Sequence, residues 1–115
     1  MTKLERLTPL EAEIAAEFAA QVRARYGPRA RCIKLFGSRA RRDARDDSDM
    51  DVLVLIEDCS LADRGAISDL AVNLLLERWM GFEVTPRVMA PEQFERLLSL
   101  ERLFPQEVVR DGIDL

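Results

Sequence analysis

The chain has 115 residues, 48% apolar and 33% charged, with a formal net charge of −4 and no histidine. A length of this order holds one core with little room for an accessory domain, and the composition is that of a soluble globular protein. Without histidine, a Ser/His/Asp triad, a His-dependent zinc site and a histidine general base are all excluded, leaving carboxylates, a metal ion and hydrogen-bond donors to carry any chemistry.

Thr8-Pro9-Leu10-Glu11 has the pattern of a capping box with Pro at the first helical position. Leu10, Ile14, Phe18 and Val22 then recur every four residues beside Ala15 and Ala19, predicting a core-facing helix that Gly27-Pro28 ends. Cys32–Phe36 reads as a first strand. Val52–Ile56, apolar on both faces, reads as a second and central one. Ser60 or Asp63 caps a helix carrying Ile67, Leu70, Ala71, Leu74 and Leu75, which ends at Gly81. Phe82–Met89 is a third strand, placed at an edge or bulge by Pro86. Pro91 opens a third helix, and Pro105 a short last one that stops at Gly112. The predicted order is αβ(loop)βαβαα over residues 1–115, a single α/β domain with helices packed on a small mixed β-sheet.

The stretch between the first two strands is the most informative. Asp49 and Asp51 bracket Met50 at the start of the second strand, and alternation along a strand turns both carboxylates to one face. Two adjacent carboxylates repel unless a cation separates them, and a hard divalent ion such as Mg²⁺ suits oxygen ligands. If the strands are antiparallel, Gly37 and Ser38 at the end of the first lie beside this pair. Gly37 then offers a backbone that a ligand can approach closely, and Ser38 offers a hydroxyl and the cap of a short helix over residues 39–43. A solvated acidic turn over residues 46–51 is the plain alternative, and it leaves the Gly-Ser register unexplained.

Charge is unevenly distributed. Residues 1–48 carry 11 Lys/Arg against 7 Asp/Glu, whereas residues 49–115 carry 6 against 14. The basic residues near the loop, Arg39, Arg41, Arg42 and Arg45, form either a surface for a nucleotide or acidic partner or an ordinary solvated face. Few aromatics interleave with them, which argues against extended nucleic-acid binding. Cys32 and Cys59 show no metal-ligand spacing and read as buried or half-buried thiols in a reducing compartment. The N-terminal MTKLERLTPLE has no apolar leader and no apolar run reaches spanning length, so the expected location is cytoplasmic, away from membranes.

Gly37-Ser38, ten intervening residues and Asp49-x-Asp51 on an apolar strand resemble the signature of the polymerase-beta-like nucleotidyltransferase superfamily. GSRARRDARDDSDMDVLVL is most similar to its minimal nucleotidyltransferases, small proteins often paired with a HEPN-domain toxin. The resemblance implies ATP or another NTP as substrate, Mg²⁺ in a one- or two-metal site, and transfer of AMP to a partner hydroxyl, with a tyrosine on a HEPN toxin as acceptor. It assigns metal binding and catalysis to Asp49 and Asp51, and the β- and γ-phosphates to Gly37 and Ser38 with help from Arg39. Relatives usually supply a third carboxylate from the neighbouring strand. Here Glu83 is the only candidate, its alternative being an exposed edge residue, and Thr85 or Arg87 stands where the acid is expected. Many relatives also carry Gly at the position of Arg42. A binding module that neutralises a partner by contact is the second reading, with Trp79, Leu100, Leu103 and Phe104 as interface candidates; self-association stays open.

Overall fold

A computed structural model of the chain describes residues 7–45, 47–78 and 81–115. Helix α1 (Pro9–Tyr26) starts with the expected capping box: the Thr8 hydroxyl accepts from the Glu11 N–H at 3.1 Å, and the Glu11 carboxylate accepts from the Thr8 N–H at 2.9 Å. These bonds satisfy two donors that would otherwise lack acceptors near the helix end. A 3₁₀ turn (Gly27–Arg29) leads into β1 (Ala30–Phe36), followed by a one-turn helix α2 (Ser38–Arg41) and β2 (Met50–Ile56). Then come α3 (Leu61–Arg78), β3 (Val84–Met89), α4 (Pro91–Ser99), α5 (Leu103–Asp111) and a short β4 (Ile113–Asp114). Ser60 and Asp63 share the start of α3, each side chain accepting from the other's N–H at 3.1 and 3.0 Å.

The sheet is mixed, in the order β3-β2-β1-β4. β2 is central, antiparallel to β1 and parallel to β3. β3 is an edge strand, as Pro86 predicts. The Met50 N–H donates to the Glu83 carbonyl at 2.8 Å, which sets the phase of the parallel pair. Odd-numbered β3 residues bond towards β2, and even-numbered ones face the open edge, where the missing N–H of Pro86 breaks no ladder bond. On one face Met50, Val52, Val54 and Ile56 pack against Ile14, Phe18 and Val22 of α1 and Ile67, Ala71 and Leu74 of α3. On the other face Phe36, Leu53, Leu55 and Met89 meet Val108 of α5, with Phe94, Leu97 and Phe104 around them.

Four expectations need correction. Ser38 is the first residue of α2 rather than its cap; Gly37, at φ 78, precedes the turn and no side chain caps it. Leu10 is exposed, and the buried stripe of α1 begins at Ile14, with Leu7 buried ahead of the helix. α5 begins at Leu103, before Pro105, because Arg102 already has the extended backbone of a helix start. β4 was absent from the predicted order: two residues after the Gly112 stop are too short for a periodicity, yet they pair with Lys34 and Leu35 of β1. Arg42 holds a left-handed φ of 66, the conformation a glycine would take without penalty.

The loop between β1 and β2 is anchored by a buried ion pair. Arg39 and Glu11 meet at 3.0 Å with side chains only 7% and 11% exposed. Burial acts to raise the Glu11 pKa, but the Thr8 N–H, the Arg39 guanidinium and the Thr8 hydroxyl together overcome it and hold the carboxyl below its ordinary value. A lowered carboxylate pKa contributes stability that is present above the unfolded-state value and is lost as pH falls through the folded-state value. Glu11→Gln, which keeps a capping side chain but removes the countercharge, is therefore expected to cost about 3 kcal/mol or more at neutral pH. Urea unfolding should show that difference narrowing as pH falls below the ordinary carboxylate range.

Candidate active site

The C-terminal end of β1 and the N-terminal ends of β2 and β3 lie at the same end of the sheet. Antiparallel pairing sets Phe36 opposite Asp51, so Gly37 follows directly at the Asp51 carboxylate. The approach is close enough that a Cβ added to Gly37 would come within 2.5 Å of Asp51 Oδ2. Together with φ 78, this makes glycine the residue that fits. Ser38 is half-buried at the start of α2. A first helical turn leaves N–H groups without intrahelical acceptors, so Ser38 offers donors beside the carboxylate.

Asp51 lies within β2, half-buried, while Asp49 lies one residue before the strand and is exposed. Burial pushes the Asp51 carboxyl above its ordinary value, and the charge of Asp49 pushes it further; Arg87 pulls it down, Glu107 raises it, and Arg41 lowers it. Arg41 is itself bonded to Asp43 at 3.1 Å and lies 3.9 Å from Asp111.

Arg39, to which the resemblance assigns help with the phosphates, is buried. Its guanidinium turns inward, donating to the Glu11 carboxylate at 3.0 Å, to the Ser48 carbonyl at 3.0 and 2.6 Å, and to the Arg45 carbonyl at 3.4 Å. It also lies 3.9 Å from the centre of the Phe82 ring. Arg39 thus fixes the loop that carries Asp49, and its donors are committed to protein acceptors.

Glu83 is exposed, just before β3. It lines a cleft of about 410 Å³ with Asp47, Asp49, Leu75, Gly81 and Phe82. Among the described residues, no three acidic or thiol side chains are already grouped to hold a metal ion, and Glu83 shares the cleft with Asp49. Of the interface candidates, Leu100 and Leu103 are exposed, whereas Phe104 packs edge-on against Phe36 and Phe94. Trp79 lies outside the described residues. Both cysteines are free and half-buried. Among the described residues no helix is long and apolar enough to cross a membrane.

Sequence reasoning missed Glu11 as the partner of Arg39, and Glu107 as a neighbour of Asp51. The second had a signal: Phe104, Glu107, Val108 and Asp111 recur at helical spacing, which puts Glu107 on the side of α5 that meets the sheet.

The raised pKa of Asp51 has a measurable consequence. A folded-state pKa above the unfolded one gives a contribution that favours folding below the unfolded value and is lost as pH rises through the folded value. Asp51→Asn should therefore raise the melting temperature at neutral pH, with the gain disappearing on acidification below the ordinary carboxylate range. A thermal melt series against pH checks this.

Residues 21–113 match the family model for polymerase beta, nucleotidyltransferase. No curated protein matches the chain. Solved structures similar in fold include the following two. One, from Sulfolobus solfataricus and provisionally described as a nucleotidyltransferase, is 22% identical, with a TM-score of 0.54, over 89% of this chain and 76% of its own. The other, a toxin–antitoxin crystal structure with AMP-PNP, is 21% identical, with a TM-score of 0.54, over 85% of this chain and 69% of its own. At these identities the two likenesses speak for the fold alone. The family match spans most of the chain, from the last turns of α1 to β4, and includes Gly37, Ser38, Asp49 and Asp51; the protein belongs to the polymerase-beta nucleotidyltransferase family.

Proposed function

We propose that the protein is a Mg²⁺-dependent nucleotidyltransferase that moves AMP from ATP to a hydroxyl on a protein partner, a HEPN-domain toxin for which it is the antitoxin, in the cytoplasm. The observation that carries this reading is the packing of Gly37 against the Asp51 carboxylate with Asp49 alongside. It leaves two acids at one end of the sheet with a backbone that a phosphate can approach closely. The toxin–antitoxin relative in fold, crystallised with AMP-PNP, supports both the nucleotide and the kind of partner.

The donor set suits a divalent ion. Two carboxylates, one held above its ordinary pKa by burial and by the other, carry negative charge that protein groups only partly offset. Asp49 and Asp51 would hold Mg²⁺, which when bound would neutralise phosphate charge and make the α-phosphorus more electrophilic. Gly37 and Ser38 would receive the β- and γ-phosphates, and the cleft over Leu75, Gly81 and Phe82 would take the base; at about 410 Å³ it lies in the usual range for small-molecule sites. The acceptor oxygen would form a bond to the α-phosphorus as the bond to the α–β bridging oxygen breaks. Pyrophosphate would leave and the hydroxyl proton would pass to solvent. Such transfer depends mainly on positioning and electrostatics, for which a loop tied down by Arg39 is suited.

A second reading is a binding module that neutralises its partner by contact. It is favoured by the absence of a third carboxylate from the group formed by Asp49 and Asp51 among the described residues. Calorimetric titration of ATP with Mg²⁺ and with EDTA separates the two. Binding that requires the metal and is lost in Asp49→Asn/Asp51→Asn is the expected outcome. Toxin neutralisation that survives the double substitution would favour the module.

A further inference from the structure

The parallel pairing of β2 with β3 sets Thr85 opposite Asp51 and Arg87 opposite Leu53. Alternation puts all four side chains on one face of the sheet, the face that α4 and α5 cover. The residue directly beside Asp51 on β3 is thus a neutral hydroxyl, and the next on that face is a cation. Arg87 is held in place: its guanidinium carbon lies 4.5 Å from the centre of the Phe104 ring. Phe104 is packed edge-on by Phe36 at 5.3 Å and by Phe94 at 6.2 Å. Phe36 immediately precedes Gly37, so one aromatic cluster positions both the phosphate-facing turn and the cation.

The two arginines near Asp51 are not equivalent. Arg41 is engaged by Asp43 and Asp111, whereas Arg87 takes part in none of the ion pairs among the described residues. Opposite Leu53, Arg87 stands one step along the same sheet face from Asp51. Arg87 is exposed, which leaves it accessible to an anionic ligand. No third acid joins Asp49 and Asp51 among the described residues to hold a second ion.

We propose that Arg87 supplies, as a fixed guanidinium stacked on Phe104, the second positive charge of the nucleotide site, which therefore takes one divalent cation per nucleotide. This inference rests on the nucleotide-binding reading above and gives that site its metal stoichiometry. A guanidinium suits the role because it stays charged, recognises phosphate oxygens through a planar pair of donors and needs no carboxylate ligands of its own. A second divalent ion would meet both its repulsion and a shortage of ligands.

The test counts metal ions rather than turnover. Mn²⁺ is titrated into the full chain with α,β-methylene-ATP, which cannot be cleaved at the reacting bond, and bound Mn²⁺ is counted by electron paramagnetic resonance. The expected count is one per chain in the wild type. Arg87→Asp, which puts a carboxylate on β3 where the cation stood, should raise it to two. Arg87→Gln should keep it at one and weaken nucleotide binding by about tenfold or more, with Arg87→Lys recovering part of that loss. The Gln and Lys variants decide the matter if Arg87→Asp fails to fold. Two ions in the wild type would overturn the inference and show that a further carboxylate joins Asp49 and Asp51 on ligand binding, leaving the nucleotide-binding reading intact. A Gln variant that folds and binds nucleotide as tightly as the wild type would overturn it equally, making Arg87 a strut for Phe104. Absence of any Mn²⁺–nucleotide binding in the wild type would overturn the nucleotide-binding reading and this inference with it.

Discussion

The buried guanidinium of Arg39 is the interaction on which the site depends. It reaches the N-terminus of α1 through Glu11, the loop before β2 through the carbonyls of Arg45 and Ser48, and the entry to β3 through the ring of Phe82. A charge in this position is tolerable only while its partners are in place, because removing one leaves an uncompensated ion out of water. The segments it joins are thereby held in one arrangement. Asp49 follows Ser48 directly and Glu83 follows Phe82, so the positions of both acids are set by contacts that neither makes.

The second constraint is the packing of Gly37 on Asp51. Antiparallel pairing alone would bring the strand ends together; the missing Cβ lets the carboxylate sit against the turn itself. The fold thereby holds a half-buried carboxylate beside an exposed one of like charge, a local conflict of the kind tolerated at functional sites. Stability comes from elsewhere: from a central strand whose side chains are almost all buried on both faces, and from helices that cover them.

Local chemistry made much of this legible. Thr8 and Glu11 announce α1, the continuous apolar run of β2 announces a central strand, and Pro86 announces an edge, because each signal depends on a few neighbouring residues and on backbone bonding that admits few alternatives. What the sequence hid were partnerships across the chain. Arg39 sits in a run of arginines and reads as one of them; only the tertiary placement of Glu11, 28 positions earlier, turns it inward. Leu10 continues a four-residue period yet faces water, since a period fixes which side a residue is on and not how far the covering layer extends. β4 is two residues long and exists through its pairing with β1, a contact invisible to any local pattern. For the site, the Gly-Ser and Asp-x-Asp spacing marked which segments would meet, whereas the neighbours of Asp51 from β3 and α5 depend on register and on how α5 is laid over the sheet.

Those neighbours decide the electrostatic state in which the site meets a ligand. Burial raises the Asp51 pKa most, Asp49 and Glu107 add to the rise, and Arg87 and Arg41 lower it, so acids and bases of the protein already oppose one another around the carboxylate. A site balanced in this way offers a free divalent ion less attraction than two isolated carboxylates would, and it does not strongly repel a polyphosphate. On the proposed reading, metal and nucleotide would favour one another's binding, because each would bring the charge the other lacks: the ion would offset the acids for the phosphate, and the phosphate would add oxygen ligands to the two carboxylates. The composition points the same way. An acidic chain that carries its excess of basic residues in the segment before Asp49 builds a local balance at the strand ends and leaves its net negative charge to the rest of its surface.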